Sequence, residues 1–466
     1  MGDSGRTLLR AMTSHDETPL EPVQGSAQEP EEFVLEEAEE AALEGDRTVE
    51  VSAVRAALQN RNFRTMWLSA LGSGIGTWMQ NVILAAYVYS VTRSVWLVSL
   101  IGFANLVPQL VFATVGGVIA DMFSRKKLIF WLSFEQLLGS LLIAWITRSE
   151  SFSEPVLLAA VAAVGIGAAL SGPVFLSVTP SLVPPKDLAG AISLNSVSMN
   201  VSRVIGPAIG ALLYVEIGAS WVFVLNAVTY LFIMVGITFV KVPVFPKVHG
   251  EGPLHKIAAG FRFVRHEPVV RRAVATVFMF SLVCMPFVVV FPAIAERDLH
   301  IAAKSTQYGF LYATFGFGAV VGALSIGTFL SGRNLAVVVR FALVGFSLCL
   351  ATFVSLDSGL PAFPVVFMLG FFYFATVTSL STVFQSRLTH AIRGRVSAVW
   401  MMCFGGTVPV SGLIAGWLIS LTTINTVIYC GAAFALFLAW YADLRPPEER
   451  TPLRALLTRD ATSDIV

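Results

Sequence analysis

Charged residues are scarce in this sequence. Asp, Glu, Lys and Arg make up 13% of the 466 residues, whereas a soluble domain carries about 25% because water must wet its surface. Apolar residues make up 55%, and the mean hydropathy is +0.74. This composition is typical of a protein whose solvent is lipid. The sequence also lacks a basic domain with interleaved aromatic residues, so we expect no nucleic-acid partner.

Cysteine and histidine are also rare. The four cysteines lie in apolar stretches without paired spacing, and the six histidines fall in the N-terminal tail or in loops. We therefore expect no disulfide, no metal site and no cofactor. The chain has no Gly-x-x-x-x-Gly-Lys-Ser/Thr phosphate loop, which argues against an ATP-driven pump. It also has no clustered nucleophile and base, so we do not expect an enzyme.

Long apolar runs recur from residue 64 onward. About 20 apolar residues in a helix cross the hydrocarbon core, and a helix satisfies its own backbone polar groups there. The runs predict an all-α membrane protein with twelve transmembrane helices. The predicted spans are residues 65–91, 94–120, 128–147, 155–182, 190–217, 219–240, 272–295, 306–330, 335–356, 359–386, 396–419 and 421–442.

The connections between these spans indicate domains and orientation. Residues 1–55 are rich in Glu, Pro, Ser and Gly, which predicts a disordered acidic tail. A connection at 241–271 separates two bundles of six spans, 56–240 and 272–444, and a tail follows at 445–466. Within 241–271, apolar residues at helical spacing predict an amphipathic helix at the membrane surface, either a plain linker or a regulatory element. Basic residues concentrate at alternate connections, which places both termini in the cytoplasm and the chain in the inner (plasma) membrane.

The connection between the second and third spans carries the most specific motif, Gly117-Val-Ile-Ala-Asp121-Met-Phe-Ser-Arg125-Lys126-Lys127. A glycine, an acid four residues later and a basic cluster resemble the loop signature of the major facilitator superfamily. Met122 and Ser124 depart from the family's basic residue and glycine. Further stretches, including 76–80, 194–207 and 393–396, resemble its secretion-effector branch, which includes the enterobactin exporters. The resemblance implies two pseudo-symmetric six-helix bundles and secondary active transport.

A gating role is expected for charged residues at the cytoplasmic rim. The Asp121 carboxylate can pair with Arg125, or with a basic loop of the second half, and such a contact biases the two access states. Alternatively, Asp121 is a solvated loop charge, and the basic cluster only fixes topology and touches anionic lipid. The candidate residues of this gating motif are Gly117, Asp121, Arg125, Lys126, Arg393 and Arg395.

The fifth span contains Gly206, Pro207 and Gly210. This step resembles a fifth-span motif of the family's drug–proton antiporters, and it is the one sequence hint for export. Small residues also let helices approach closely, and Pro bends a span, so tight packing alone explains the motif equally well.

Of the charged residues inside the predicted spans, two are candidates for proton coupling: Glu135 in the third span and Arg203 in the fifth. An ionised group at the bilayer centre costs at least ~2.5 kcal/mol, so both are candidates for proton coupling. Glu135 alternatively makes a structural hydrogen bond, because the resemblance places the third span away from the central cavity. Arg203 alternatively holds backbone carbonyls or a nearby carboxylate.

The resemblance places the first, fourth, seventh and tenth spans around a central cavity. An apolar cavity with a few polar groups fits an amphipathic organic solute. The candidates in these spans, which could equally pack in the core or face lipid, are Gln80, Asn81, Tyr87, Met285, Thr376 and Gln385.

Together these features predict a proton-coupled exporter of a small amphipathic compound, either a drug or a siderophore-like metabolite. We expect it to act as a monomer in contact with membrane lipids. A lysophospholipid or lipid flippase of the same fold is the alternative among carriers. A non-transporting receptor or scaffold is the alternative outside them, because a fold does not fix a function.

Overall fold

The computed structural model describes residues 51–149, 153–242, 253–330 and 333–445, and the longer regular elements in this part of the chain are α-helices. The predicted tails lie mostly outside these residues. The first half comprises α1 (Val51–Gln59), α2 (Arg61–Thr92), α3 (Val95–Met122), α4 (Arg125–Arg148), α5 (Glu154–Val178), α6 (Leu188–Ile217) and α7 (Ala219–Phe239). The second half comprises α8 (Pro253–His266), α9 (Pro268–Met279), α10 (Pro286–Arg297), α11 (Thr306–Gly327), α12 (Leu335–Ser355), α13 (Gly359–Gln385), α14 (His390–Phe404), α15 (Thr407–Leu421) and α16 (Ile424–Tyr441).

Helix α1 begins within the segment predicted as a disordered tail. Val54, Ala57 and Leu58 recur at helical spacing and join a cluster of buried residues, and α1 packs on α6. Burial of these apolar side chains offsets the entropy cost of ordering the helix. The composition predicted a disordered tail that extends to residue 55. The helix at Val51–Gln59 shows that such a tail ends before residue 51.

Ten helical segments of the described residues are long and apolar enough to cross a membrane. They are Arg125–Arg148, Glu154–Leu182, Pro185–Ile217, Ala219–Phe239, Pro268–Arg297, Thr306–Gly327, Leu335–Ser355, Gly359–Gln385, Arg395–Leu421 and Ile424–Tyr441. Helix α2 has 32 residues, but polar side chains such as Gln80 and Asn81 lower its hydropathy. Helix α3 contributes a shorter apolar segment, Val95–Gln109. The all-helical membrane architecture is confirmed, and the count of twelve spans stays a prediction.

Each half is built from helices packed on one another. In the first half α2 contacts α6 and α7, while α4 contacts α5 and α7; in the second, α13 contacts α11 and α12. Glycines allow the closest of these approaches. Gly318 and Gly322 of α11 face backbone carbonyls of α13, and Gly370 of α13 faces the carbonyl of Phe315, so an added Cβ would overlap backbone.

The two halves meet mainly along two helix pairs, α6 with α11 and α3 with α15. Gly309 of α11 lies against Ala211 and the Pro207 carbonyl of α6, and Gly416 of α15 lies against Ser99 of α3. These small residues bring the halves into direct contact, and we call this contact the seam.

The seventh predicted span is broken in the middle. A π-helical turn at Phe280–Cys284 separates α9 from α10, which begins at Pro286. Proline lacks the backbone N–H of a regular helix and clashes with the preceding turn, which explains the break at this point. Around it, Phe280, Phe287 and Phe346 pack edge to face with ring centroids 5.0 to 5.9 Å apart.

Helix α8 occupies the segment for which the sequence predicts an amphipathic helix. It packs on α14, and Gly260 faces the backbone carbonyl of Arg395. The helix is thus tied to the second half of the protein.

Candidate transport site

A cavity of about 370 Å³ lies between α2, α5 and α6. It extends from Phe63 and Leu182, near the ends of α2 and α5, to Trp78 and Ser202 in the middle of their helices. Its wall is mainly apolar and aromatic, with a few polar side chains such as Asn195. A wall of this kind suits the apolar body of an organic solute.

Arg203 lies beside the deep end of this cavity. Its guanidinium carbon is 5.1 Å from the ring centroid of Trp78, which lines the cavity, and 4.5 Å from that of Phe374 on α13. Tyr312 and Tyr373 of the second half are close enough to interact with it electrostatically. The charge therefore sits at the seam, between side chains of both halves.

Two polar atoms of the Arg203 side chain are unsatisfied. Its Nε and Nη1 atoms are buried and have no hydrogen-bond partner among the described residues. The sequence led us to expect a backbone carbonyl or a carboxylate as acceptor, and neither is found for these two atoms in the described part of the chain. Instead, the guanidinium lies against the faces of two aromatic rings. The sequence could not reveal these contacts, because Trp78 and Phe374 lie far from Arg203 along the chain.

A buried network of polar side chains links three helices of the first half. Asn226 Nδ2 of α7 donates to Gln80 Oε1 of α2 at 2.9 Å and to Ser140 Oγ of α4 at 3.4 Å. Nearby, the hydroxyls of Thr77 and Tyr230 are 3.2 Å apart. Gln80 is only 2% exposed, so its side chain joins helices and does not line the 370 Å³ cavity.

Glu135 of α4 lies beside this network. Its Oε2 atom is buried and, among the described residues, has no hydrogen-bond partner. The carboxylate lies so close to Gly167 of α5 that a Cβ there would overlap it, and it acts electrostatically on Tyr230. A structural hydrogen bond, the alternative explanation for this residue, is thus not seen for Oε2.

The other predicted cavity residues are dispersed through the helix packing. Asn81 accepts from Asn105 at 3.2 Å, and the Tyr87 hydroxyl donates to a carbonyl on α4 at 3.4 Å. Met285 is buried in the core, Thr376 bonds its own helix, and Gln385 bonds Ser381 of the same helix at 3.0 Å. None of these five lines the 370 Å³ cavity, and their role in binding stays a prediction.

The predicted gating motif is described only in part. Gly117 and Asp121 belong to α3, but the Asp121 side chain, like that of Arg393, lies outside what the structure describes. Arg125 donates to the Ser177 carbonyl at 3.0 Å, and Lys126 donates to the carbonyls of Thr238 and Val240 at 2.8 and 3.0 Å. These cations therefore stabilise the C-terminal ends of α5 and α7, where the helix dipole is negative.

The fifth-span motif packs α6 on its neighbours. Gly206 faces the Ile75 carbonyl and Trp78 of α2, and Gly210 faces Met79 of the same helix. The Pro207 carbonyl faces Gly309 across the seam. The motif thus holds α6 against the cavity wall on one side and the second half on the other.

An ion pair missed by the sequence reasoning joins the halves at one end of the molecule. Arg93, between α2 and α3, pairs with Glu296 at the end of α10, and Glu296 also accepts from the Ala303 N–H at 3.3 Å. Lys304 Nζ lies 5.8 Å from the ring centroid of Tyr214 on α6. We call the end of the molecule that carries these two contacts the Arg93 end. Little in the sequence indicates the ion pair, because two isolated charges far apart in the chain show no spacing that predicts their contact.

Comparison with known families decides the identity. A family model described as "Transmembrane secretion effector" matches residues 52–454. The chain belongs to this family. It is a major facilitator transporter of the enterobactin-exporter-like branch, as its motifs predicted. One relative is the enterobactin exporter EntS of Shigella boydii serotype 4 (strain Sb227), with 28% identity over 346 residues, covering 72% of this chain and 80% of that protein.

Solved structures of transporters share the fold of this family member. The nucleoside transporter NupG superposes with a TM-score of 0.67 at 12% identity, covering 82% of this chain and 98% of NupG. A bacterial homologue of the iron transporter ferroportin gives 0.65 at 13% identity in its inward-facing state and 0.53 at 15% identity in its outward-facing state. Each covers 82% of this chain and 98% of that protein. The helix arrangement is thus more similar to the inward-facing form.

Proposed function

We propose that this transporter exports a small amphipathic organic compound by alternating access, coupled to the proton gradient. One observation carries the proposal: among the described residues, the pairs Arg93–Glu296 and Lys304–Tyr214 join the halves at the Arg93 end, while a cavity extends from mid-span toward the opposite end. A carrier caught in one of its two access states has this asymmetry. The relatives named as enterobactin exporters support a siderophore-like solute and outward transport.

Orientation in the membrane follows from the charge distribution. Arg125 and Lys126 lie at the end opposite Arg93 and belong to the basic connections, which face the cytoplasm by the positive-inside rule. In this proposal α2 and α3 also cross the bilayer, which makes twelve spans of the inner membrane with both termini on its cytoplasmic side. In this orientation the cavity opens inward and the Arg93 end is closed to the outside.

Glu135 is the proposed coupling site. Its Oε2 atom is buried and has no hydrogen-bond partner among the described residues. An ionised group at the bilayer centre costs at least ~2.5 kcal/mol, so proton uptake removes a penalty and proton loss restores it. The carboxyl lies between α4 and α5 and beside Tyr230 of α7. A change in its charge therefore acts on the packing of three helices of the first half.

The test measures substrate-dependent proton release from inverted membrane vesicles, with enterobactin and ethidium as test solutes. We expect Glu135→Gln to reduce proton release to background, because the amide cannot bind or release a proton. Asp121→Asn should lower the rate of proton release, because it removes the charge that we expect to bias the two access states. The matched control is Glu154→Gln, which neutralises an exposed carboxyl at the start of α5 and should leave the rate unchanged.

Wild-type proton release in Glu135→Gln would remove the coupling assignment. Translocation of labelled lysophospholipid in liposomes, without movement of either solute, would replace export by lipid flipping. Binding without any flux would favour a receptor.

A further inference from the structure

Arg203 is an unusual residue for the interior of a membrane protein because it carries a charge with no counter-ion in the part of the chain that the structure describes. Arginine stays protonated and presents five N–H donors. Burying such a charge costs several kcal/mol unless it is paired and its donors are satisfied. Among the described residues, no carboxylate pairs with Arg203, and its Nε and Nη1 atoms donate to nothing.

The two aromatic rings account for only part of this cost. The ring centroids of Trp78 and Phe374 lie 5.1 and 4.5 Å from the guanidinium carbon, and such cation–π contacts are weaker than an ion pair with satisfied hydrogen bonds. A ring face does not replace the oxygen acceptors that a guanidinium fork prefers. The guanidinium is thus fixed in position, with donors left over for a carboxylate or a similar anion.

The position of Arg203 connects it to the cavity. Trp78, whose ring is in contact with the cation, lines the deep end of the cavity, and so does Ser202, the preceding residue in α6. A solute that enters between Phe63 and Phe175 with its apolar body against the aromatic wall can bring one end to the Trp78 side of Arg203. Arg203 itself does not line the cavity, so that end reaches the positive charge and the unsatisfied Nε and Nη1 donors when the Trp78 side chain moves.

We infer that Arg203, held between Trp78 and Phe374, is a binding site for the anionic group of the solute, so that the transported compound is an amphipathic aromatic or aliphatic anion. This inference rests on the proposed function as an exporter. Trp78 belongs to the first half and Phe374 to the second. An anion bound at the seam therefore contacts both halves, and its differential affinity for the two access states shifts their balance.

The test uses three probes of one shape and different charge: 2-naphthoate, the neutral 2-naphthamide and the cation 2-naphthylmethylammonium. Binding to the purified full-length protein in nanodiscs is measured by isothermal titration calorimetry. We expect 2-naphthoate to bind at least about tenfold more tightly than either of the other probes. Arg203→Gln should abolish this preference, while Arg203→Lys, which keeps the charge but loses the fork, should retain part of it.

A matched control is Arg340→Gln. Arg340 is also partly buried in a span, but its Nε donates to the Ala439 carbonyl at 2.9 Å, and it lies away from the seam. This variant should keep the full preference for 2-naphthoate. Where Arg203→Gln fails to fold, the affinities of the wild-type protein for the three probes test the inference. Phe374→Leu then provides a second variant, which should weaken 2-naphthoate binding more than 2-naphthamide binding.

Equal affinity of the wild-type protein for 2-naphthoate and 2-naphthamide would overturn the inference, as would an unchanged preference in a folded Arg203→Gln variant. Failure of the proposed function gives a different result. Selective 2-naphthoate binding without solute flux in proteoliposomes leaves the anion site standing and removes transport. Flux of ethidium with no preference for the anionic probe leaves transport standing and removes the anion site.

Discussion

At the scale of single residues, Asp298 provides a test of how burial acts on charge. Its carboxyl lies just beyond the end of α10, outside the membrane spans, and Oδ2 has no hydrogen-bond partner among the described residues. Burial raises the pKa of Asp298 above its usual value, and Asp357 adds to the increase, although Arg297 and His300 oppose it. Ionisation of this carboxyl is therefore less favourable in the folded protein than in the unfolded chain.

The sign of the pH effect follows from this shift. The stabilising contribution of the protonated carboxyl is complete below the unfolded pKa and is lost as pH rises through the higher folded pKa. Asp298→Asn mimics the protonated form, so we expect a higher thermal unfolding temperature than wild type at pH 7.5 and a smaller difference at pH 4. Glu216→Gln, at an exposed carboxyl of α6, should leave the unfolding temperature unchanged. A lower unfolding temperature for Asp298→Asn at pH 7.5 would contradict this reasoning.

At the scale of helices, the contact of α11 with α13 depends on the absence of side chains. A Cβ at Gly322 would overlap the Phe371 carbonyl, and backbone cannot move aside without shifting a whole helix. We expect Gly322→Ala to destabilise the protein by about 1–3 kcal/mol, the usual cost of overpacking. The measurement is the change in unfolding temperature and in the denaturant midpoint.

The matched control for this prediction is Gly102→Ala in α3. A Cβ at Gly102 meets no atom within 4 Å, and alanine favours a helix more than glycine does. Stability should change by no more than about 0.5 kcal/mol. Equal destabilisation by both substitutions would mean that the glycines of α11 matter through backbone freedom and not through close packing.

These examples show which features a sequence reveals at this scale. Long apolar runs predicted the spans, because lipid imposes a length and a composition on every crossing helix. The fifth-span motif was recognised because its two glycines and its proline lie within five consecutive residues. The partners of Gly322, of Arg203 and of Arg93 were not predicted, because each contact joins helices distant in the chain. Helix α1 was missed because three apolar residues are a weak signal beside an acidic segment.

At the scale of the whole molecule, the pair of Arg93 and Glu296 is expected to favour the state closed at its own end. The Arg93 side chain is 61% exposed and that of Glu296 18% exposed, and pairs of this kind contribute about 0.2–1 kcal/mol. Removing the pair by Glu296→Gln should therefore increase the population open at the Arg93 end, relative to the closed one, by about 1.4- to 5-fold.

This population shift can be measured as a distance distribution. Spin labels at exposed positions 216 and 358, in a background with the native cysteines replaced by serine, report the separation of the halves at the Arg93 end by double electron–electron resonance. The charge-swapped variant Arg93→Glu with Glu296→Arg should restore the short distance, because the attraction is the same with its sign pattern reversed. Arg148→Gln removes an exposed charge of α4 at the same end and should not alter the distribution. If Glu296→Gln and Arg148→Gln lengthen the distance equally, general surface charge and not this ion pair holds the two halves together.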